Sequence, residues 1–81
     1  MHELSIALEV ARLVEEAVGP ERVPRVVRVG LEVGTDAGVE IPNLEFCLQA
    51  LLSTSPFSGA EPEIVECGGG DLRVTYLELE E

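Results

Sequence analysis

The sequence predicts an α+β fold of two layers: a small mixed three-stranded sheet with two helices on one face, in the order α-β-α-β-β. Three observations predict it. Apolar residues recur at helical spacing over residues 3–18 and 42–53, and at strand spacing over 25–34, 61–66 and 72–79. Stretches rich in Gly, Pro and Ser separate these segments. Eighty-one residues suffice for one small domain, and helices on one side of a sheet is the economical way to bury every apolar surface.

The first helix carries two apolar stripes, Leu4-Ala7-Leu8-Ala11-Val14-Val18 and Ile6-Val10-Leu13-Ala17. Together they form an arc wider than one sheet face needs, so the helix is expected to pack on the second helix or on another subunit. Its polar stripe is narrow, with Ser5, Glu9, Arg12 and Glu16. Gly19-Pro20 stops it. In the first strand, Val27, Val29, Leu31 and Val33 alternate onto one face, leaving Val26, Arg28, Gly30 and Glu32 on the other. Gly34 to Gly38 is a loop. Pro42 suits the first turn of the second helix, whose inward face is Leu44, Cys47, Leu48, Leu51 and Leu52, with Phe46 and Ala50 on its flank. A Ser/Pro/Gly loop follows over 53–59. In the second strand Ile64 points in and Glu63 out. In the third, Leu72, Val74 and Tyr76 share one face. Gly68-Gly69-Gly70-Asp71 between them reads as a hairpin turn.

Composition excludes several classes. Sixteen acids against five arginines, with no lysine, give a net charge of −11, which repels nucleic acid and anionic membranes. There is no long apolar run and no signal-peptide pattern, so a cytoplasmic chain is expected. Two cysteines make neither a disulfide framework nor a zinc site: Cys47 falls in the helical core pattern, and Cys67 precedes the glycine turn as either a bystander or a dimer crosslink. An enzyme is not expected. The single His stands at position 2, the glycine run opens no phosphate-binding helix, and the carboxylates are scattered.

The stretch with chemistry is Met1-His2-Glu3. A free Met1 amine, the His2 backbone nitrogen and the His2 imidazole form two fused chelate rings, which the Glu3 backbone nitrogen extends. Coplanar nitrogens suit Ni(II) or Cu(II) better than zinc or magnesium. Amide nitrogens must lose protons to bind, so affinity rises with pH, and protonation of His2 would release the metal. The bland alternative is a terminal His that binds nothing.

Three segments carry a family likeness: MHELSIA opening the first helix, VGLEVGTDAGVEIPNLEFCLQALL, and the strand LRVTYLELE. Within them, Gly38, Val39, Glu40, Leu44 and Phe46 fit the spacing G-V-E-x-x-x-L-x-F. The chain resembles the HypA/HybF family of nickel metallochaperones, which serve hydrogenase maturation and in some bacteria urease. The resemblance implies a Ni(II) site at the Met1 amine, the His2 nitrogens, the Glu3 backbone and, by alignment, Glu40. Two readings of Glu40 stand: a nickel ligand, or an acid favoured by the positive end of the second helix. The resemblance also implies a nickel-delivery GTPase and a hydrogenase large subunit as partners. One departure is large. The family carries a zinc ribbon with two Cys-x-x-Cys pairs between the last two strands. Here only residues 67–71 bridge them, so residues 1–81 are expected to form a single nickel-binding-type domain without structural zinc. The competing expectation is a metal-independent interaction module, with the first helix mediating a homodimer or partner contact.

Overall fold

The computed structural model describes residues 2–80. Helix α1 covers Glu3–Val18 and ends at Gly19, whose positive φ of 84° and N–H donation to the Glu15 carbonyl (2.9 Å) close the last turn. A short 3-10 turn, Val23–Arg25, leads into β1 (Val26–Gly34). Helix α2 (Ile41–Leu52) follows, with Pro42 in its first turn, then β2 (Glu61–Cys67) and β3 (Leu72–Leu79). The predicted α+β class and element order are those of the structure.

The sheet order is β2-β1-β3, with β1 parallel to β2 and antiparallel to β3. This corrects the expected hairpin, because β2 and β3 flank β1 and do not pair with each other. Two strand spacings separate them, roughly 9–10 Å, which the four-residue Gly68–Asp71 connection spans. The reason is hydrophobic. Val26, Val29, Leu31 and Val33 of β1 are all at most 1% exposed, so this strand belongs in the middle, whereas Glu61, Glu63 and Glu66 suit an edge.

Two bulges correct the strand phases. The pairings jump from Val26–Leu79 to Arg28–Glu78 and from Gly30–Tyr76 to Leu31–Val74. Val27 and Thr75 are therefore extra residues. Val26 turns inward, contrary to expectation, while Val27 is only partly buried. In β3 the inward set is Leu72, Val74, Leu77 and Leu79, with Tyr76 facing out. The Tyr76 ring lies over Gly30, where an added Cβ would sit 2.0 Å from its Cε1, and the phenol donates to Glu63 Oε1 (2.8 Å).

The core lies between sheet and helices. Ala7, Val10, Ala11 and Val14 form the buried seam of α1, and Leu44, Leu48 and Leu52 that of α2. The seam runs between the two predicted stripes of α1, leaving Leu4, Leu8 and Leu13 on its exposed flanks. Cys47 and Leu51 pack against the core from the side, and Phe46 is exposed.

Candidate metal centre

The N-termini of α1 and α2 meet. His2 is the residue that opens α1, with extended backbone (φ −85°, ψ 121°) and a carbonyl that accepts from Ser5 N–H (3.0 Å) and Ile6 N–H (3.3 Å). Its side chain makes no capping bond and is exposed. Glu40 opens α2 in the same way: extended backbone (φ −82°, ψ 108°), carbonyl accepting from Leu44 N–H (2.9 Å), side chain exposed and not capping. In neither case is the side chain used up by the helix it begins.

Glu3 joins the two ends. Its carboxylate accepts the Asn43 side-chain N–H at 2.8 Å and the Glu40 backbone N–H at 3.3 Å. A residue of α1 thus satisfies a donor at the start of α2, which lacks a cap of its own. The bond from Asn43 holds the Glu3 carboxyl below the usual carboxylate range, helped by the Glu40 N–H and by Glu3's own N–H. Sequence reasoning gave Glu3 a role only through its backbone nitrogen. It missed the clamp and missed Asn43. The signal was available: Asn43 is a polar residue one position past a helix-opening Pro, on the turn that carries Glu40.

The electrostatics suit a cation only because of these acids. Each helix N-terminus carries a partial positive charge of about half a unit, and two of them converge here. The Glu3 and Glu40 carboxylates offset that field. Among the described residues, no three His, Cys, Asp or Glu side chains gather in a way that holds a metal. A metal here would need donors besides these side chains, such as the backbone nitrogens of the expected His2 chelate. The Glu3 N–H belongs to the first turn, where amides lack intrahelical acceptors. Of the predicted ligands, Glu3 and Glu40 are brought together, with His2 next in the chain, while Met1 lies outside the described residues. Cys67 sits at the far end of β2, opposite Gly34.

Two helices over a mixed three-stranded sheet, with their N-termini clamped beside the only His of the chain, define the class: a small α+β domain with an N-terminal candidate metal centre. The model of the family described as "Hydrogenase/urease nickel incorporation, metallochaperone, hypA" matches residues 1–75. The hydrogenase maturation factor HypA of Azotobacter chroococcum mcd 1 is 45% identical over 69 residues, covering 85% of this chain and 61% of that protein. HypA of Chlorobaculum parvum is 42% identical over 67 residues, 83% of this chain and 59% of that one. The solution structure of the Ni metallochaperone HypA from Helicobacter pylori superposes with a TM-score of 0.79 over 98% of this chain and 97% of that chain, at 15% identity, a likeness of fold. The chain belongs to the HypA family. It spans about three fifths of the length of these two curated relatives.

Proposed function

We propose that this chain is a nickel-binding metallochaperone or accessory protein for the maturation of nickel enzymes, hydrogenase first and urease as a second client class. Ni(II) is its cargo. The nitrogens of Met1, His2 and Glu3 form the planar donor set, and Glu40 supplies a carboxylate beside it. Family membership supports this reading. The observation that carries it is the clamp from Glu3 to Glu40 and Asn43, which holds the start of α1 against the start of α2. In this reading the Glu3 carboxylate positions the site and only its backbone nitrogen binds.

This reading includes no structural zinc within residues 1–81. Two Cys and one His fall one ligand short of a four-coordinate Cys/His site. In this reading residues 1–81 hold nickel in the cytoplasm, without catalysis. Among the described residues no helix is long and apolar enough to cross a membrane. A nickel-delivery GTPase and the hydrogenase large subunit are the partners that the family reading brings.

The test is calorimetric titration of Ni(II) into untagged protein, beside His2→Ala, Glu40→Ala and a version extended before Met1. One-site binding by a diamagnetic yellow species is expected, abolished by His2→Ala and by the extension and weakened by Glu40→Ala. Equal binding in all four proteins refutes the terminal site, and binding in none refutes it too and leaves a metal-independent interaction module.

A further inference from the structure

His2, Glu3 and Glu40 carry an imidazole and two carboxylates, side chains of the kind that bind zinc. Glu3 follows His2 directly, and the Glu40 N–H reaches the Glu3 carboxylate. Yet among the described residues no three such side chains gather to hold a metal. The bonds of the Glu3 carboxylate account for this. Its Oε1 accepts from Asn43 Nδ2 at 2.8 Å, and its Oε2 accepts from the Glu40 backbone N–H at 3.3 Å. Both oxygens are engaged by the first turn of α2.

Of the two bonds, the one from Asn43 is the shorter. It is also the one that a side-chain substitution removes, since the Glu40 donor is backbone. A charged acceptor strengthens it over a neutral pair, and Asn43 is exposed, so no core packing depends on it.

Withholding a carboxylate changes which metal the terminus prefers. Nickel and copper take coplanar nitrogens. Zinc has no d-electron preference for a plane and favours a tetrahedron of side-chain ligands. If the Glu3 carboxylate were free, it would join His2, Glu40 and the Met1 amine to offer zinc four donors, with no amide losing its proton. With Glu3 engaged, that set is one ligand short. The planar nickel set is untouched, because it uses Glu3 only through its backbone nitrogen.

We propose that Asn43 is a specificity-determining residue: by holding the Glu3 carboxylate on α2, it denies zinc a ligand and leaves the terminus to nickel. Asn43 touches no metal and acts as a positioning residue through Glu3. This rests on the terminal nickel site proposed above and adds to it a means of rejecting a competing metal.

The test is competitive calorimetric titration of Ni(II) and Zn(II) into the untagged, metal-free chain. Beside it stand His2→Ala, Asn43→Ala, Asn43→Gln and the double variant Glu3→Ala/Asn43→Ala, with circular dichroism confirming each fold and absorbance spectra recorded on the nickel forms. Asn43→Ala is expected to lower the preference for nickel over zinc roughly tenfold or more, mainly through tighter zinc binding. Part of its nickel is expected to pass from the yellow diamagnetic form to a paramagnetic form with added oxygen ligands. Asn43→Gln keeps an amide donor and is expected to recover much of the preference. In the double variant the zinc gain disappears, because the carboxylate that supplies it is gone. A clamp that only supports the fold would weaken both metals together and leave their ratio and the nickel spectrum alone, and that result overturns the inference. So does a zinc gain that survives in the double variant. In both cases His2-dependent nickel binding by the parent chain leaves the terminal site standing. A parent chain that binds no nickel, or binds it no better than His2→Ala does, overturns the site and this inference together.

Discussion

Two glycines of β1 make a paired test of the packing. A Cβ at Gly30 would lie 2.0 Å from Tyr76 Cε1, and one at Gly34 would lie 2.2 Å from the Gly69 carbonyl oxygen. By distance Gly30 is the worse site. By mechanism Gly34 is. The Tyr76 ring is 40% exposed and swings into solvent about its own side-chain bonds. The Gly69 carbonyl is backbone, in the short connection that crosses the end of β1. Reaching ordinary contact at 3.4 Å moves it by about 1.2 Å (3.4 − 2.2). That connection receives Gly34 N–H at the Asp71 carbonyl (2.7 Å) and Asp36 N–H at the Gly69 carbonyl (2.8 Å). Lengthening both past hydrogen-bond range at about 0.5–1.5 kcal/mol each costs about 1–3 kcal/mol. A domain of this size holds roughly 4–12 kcal/mol in total. Urea unfolding of Gly34→Ala and Gly30→Ala, followed by far-ultraviolet circular dichroism, measures the contrast. Gly34→Ala is expected to lower the midpoint clearly and Gly30→Ala much less. If Gly30→Ala costs as much as Gly34→Ala, the reasoning from what the new methyl meets is wrong.

The same displaced ring gives a second readout. The bond to Glu63 pushes the Tyr76 phenol above its ordinary value, so its stabilising effect is present below the ordinary phenol range and lost as pH rises through the raised value; absorbance titration of the single tyrosinate should shift to lower pH in Gly30→Ala and in Glu63→Gln. For Glu3 the sign reverses: with its pKa lowered, the clamp on Asn43 is complete above the ordinary carboxylate range and lost as pH falls through the lowered value, which the Asn43 side-chain amide signals in an NMR titration would report. Glu3→Ala should weaken Ni(II) binding in calorimetry by releasing the start of α2, and Glu3→Gln should weaken it less, since an amide oxygen still accepts one bond. Leu48→Ala, at a fully buried position, is expected to cost about 2–5 kcal/mol, whereas Leu8→Ala, 52% exposed, should stay within about 1 kcal/mol; equal losses in urea unfolding would contradict the assigned seam of α1.

Periodicity exposed the elements and much of the core, because Leu44, Leu48 and Val14 obey helical spacing and Val29, Leu31 and Val33 obey strand spacing without interruption. It failed where an extra residue breaks the count. Val27 and Thr75 each shift the phase by one, and nothing in the side chains of Val26-Val27 or Thr75-Tyr76 announces which residue is surplus. The hairpin expectation failed for a different reason. A four-residue glycine turn serves equally to join neighbours or to step across an intervening strand, and only the near-complete burial of β1 decides between them. At the candidate centre, His2 and Glu40 were legible as residue types at helix starts. The Glu3 clamp was not, because it joins positions 37 apart whose meeting depends on how α1 lies on α2.

The placement of β1 between β2 and β3 also sets an order of events in time. Every strand pairing is distant in sequence: β1 finds β2 only after α2 is made, and Val26 finds Leu79 last of all. With no hairpin to nucleate the sheet, loop-closure entropy makes its formation slow compared with helix formation. His2, Glu3, Glu40 and Asn43 leave the ribosome well before β3 does. The two helix starts can therefore find each other while the sheet still lacks the strand that closes its far side, so the half of the chain that holds the candidate metal centre is built first.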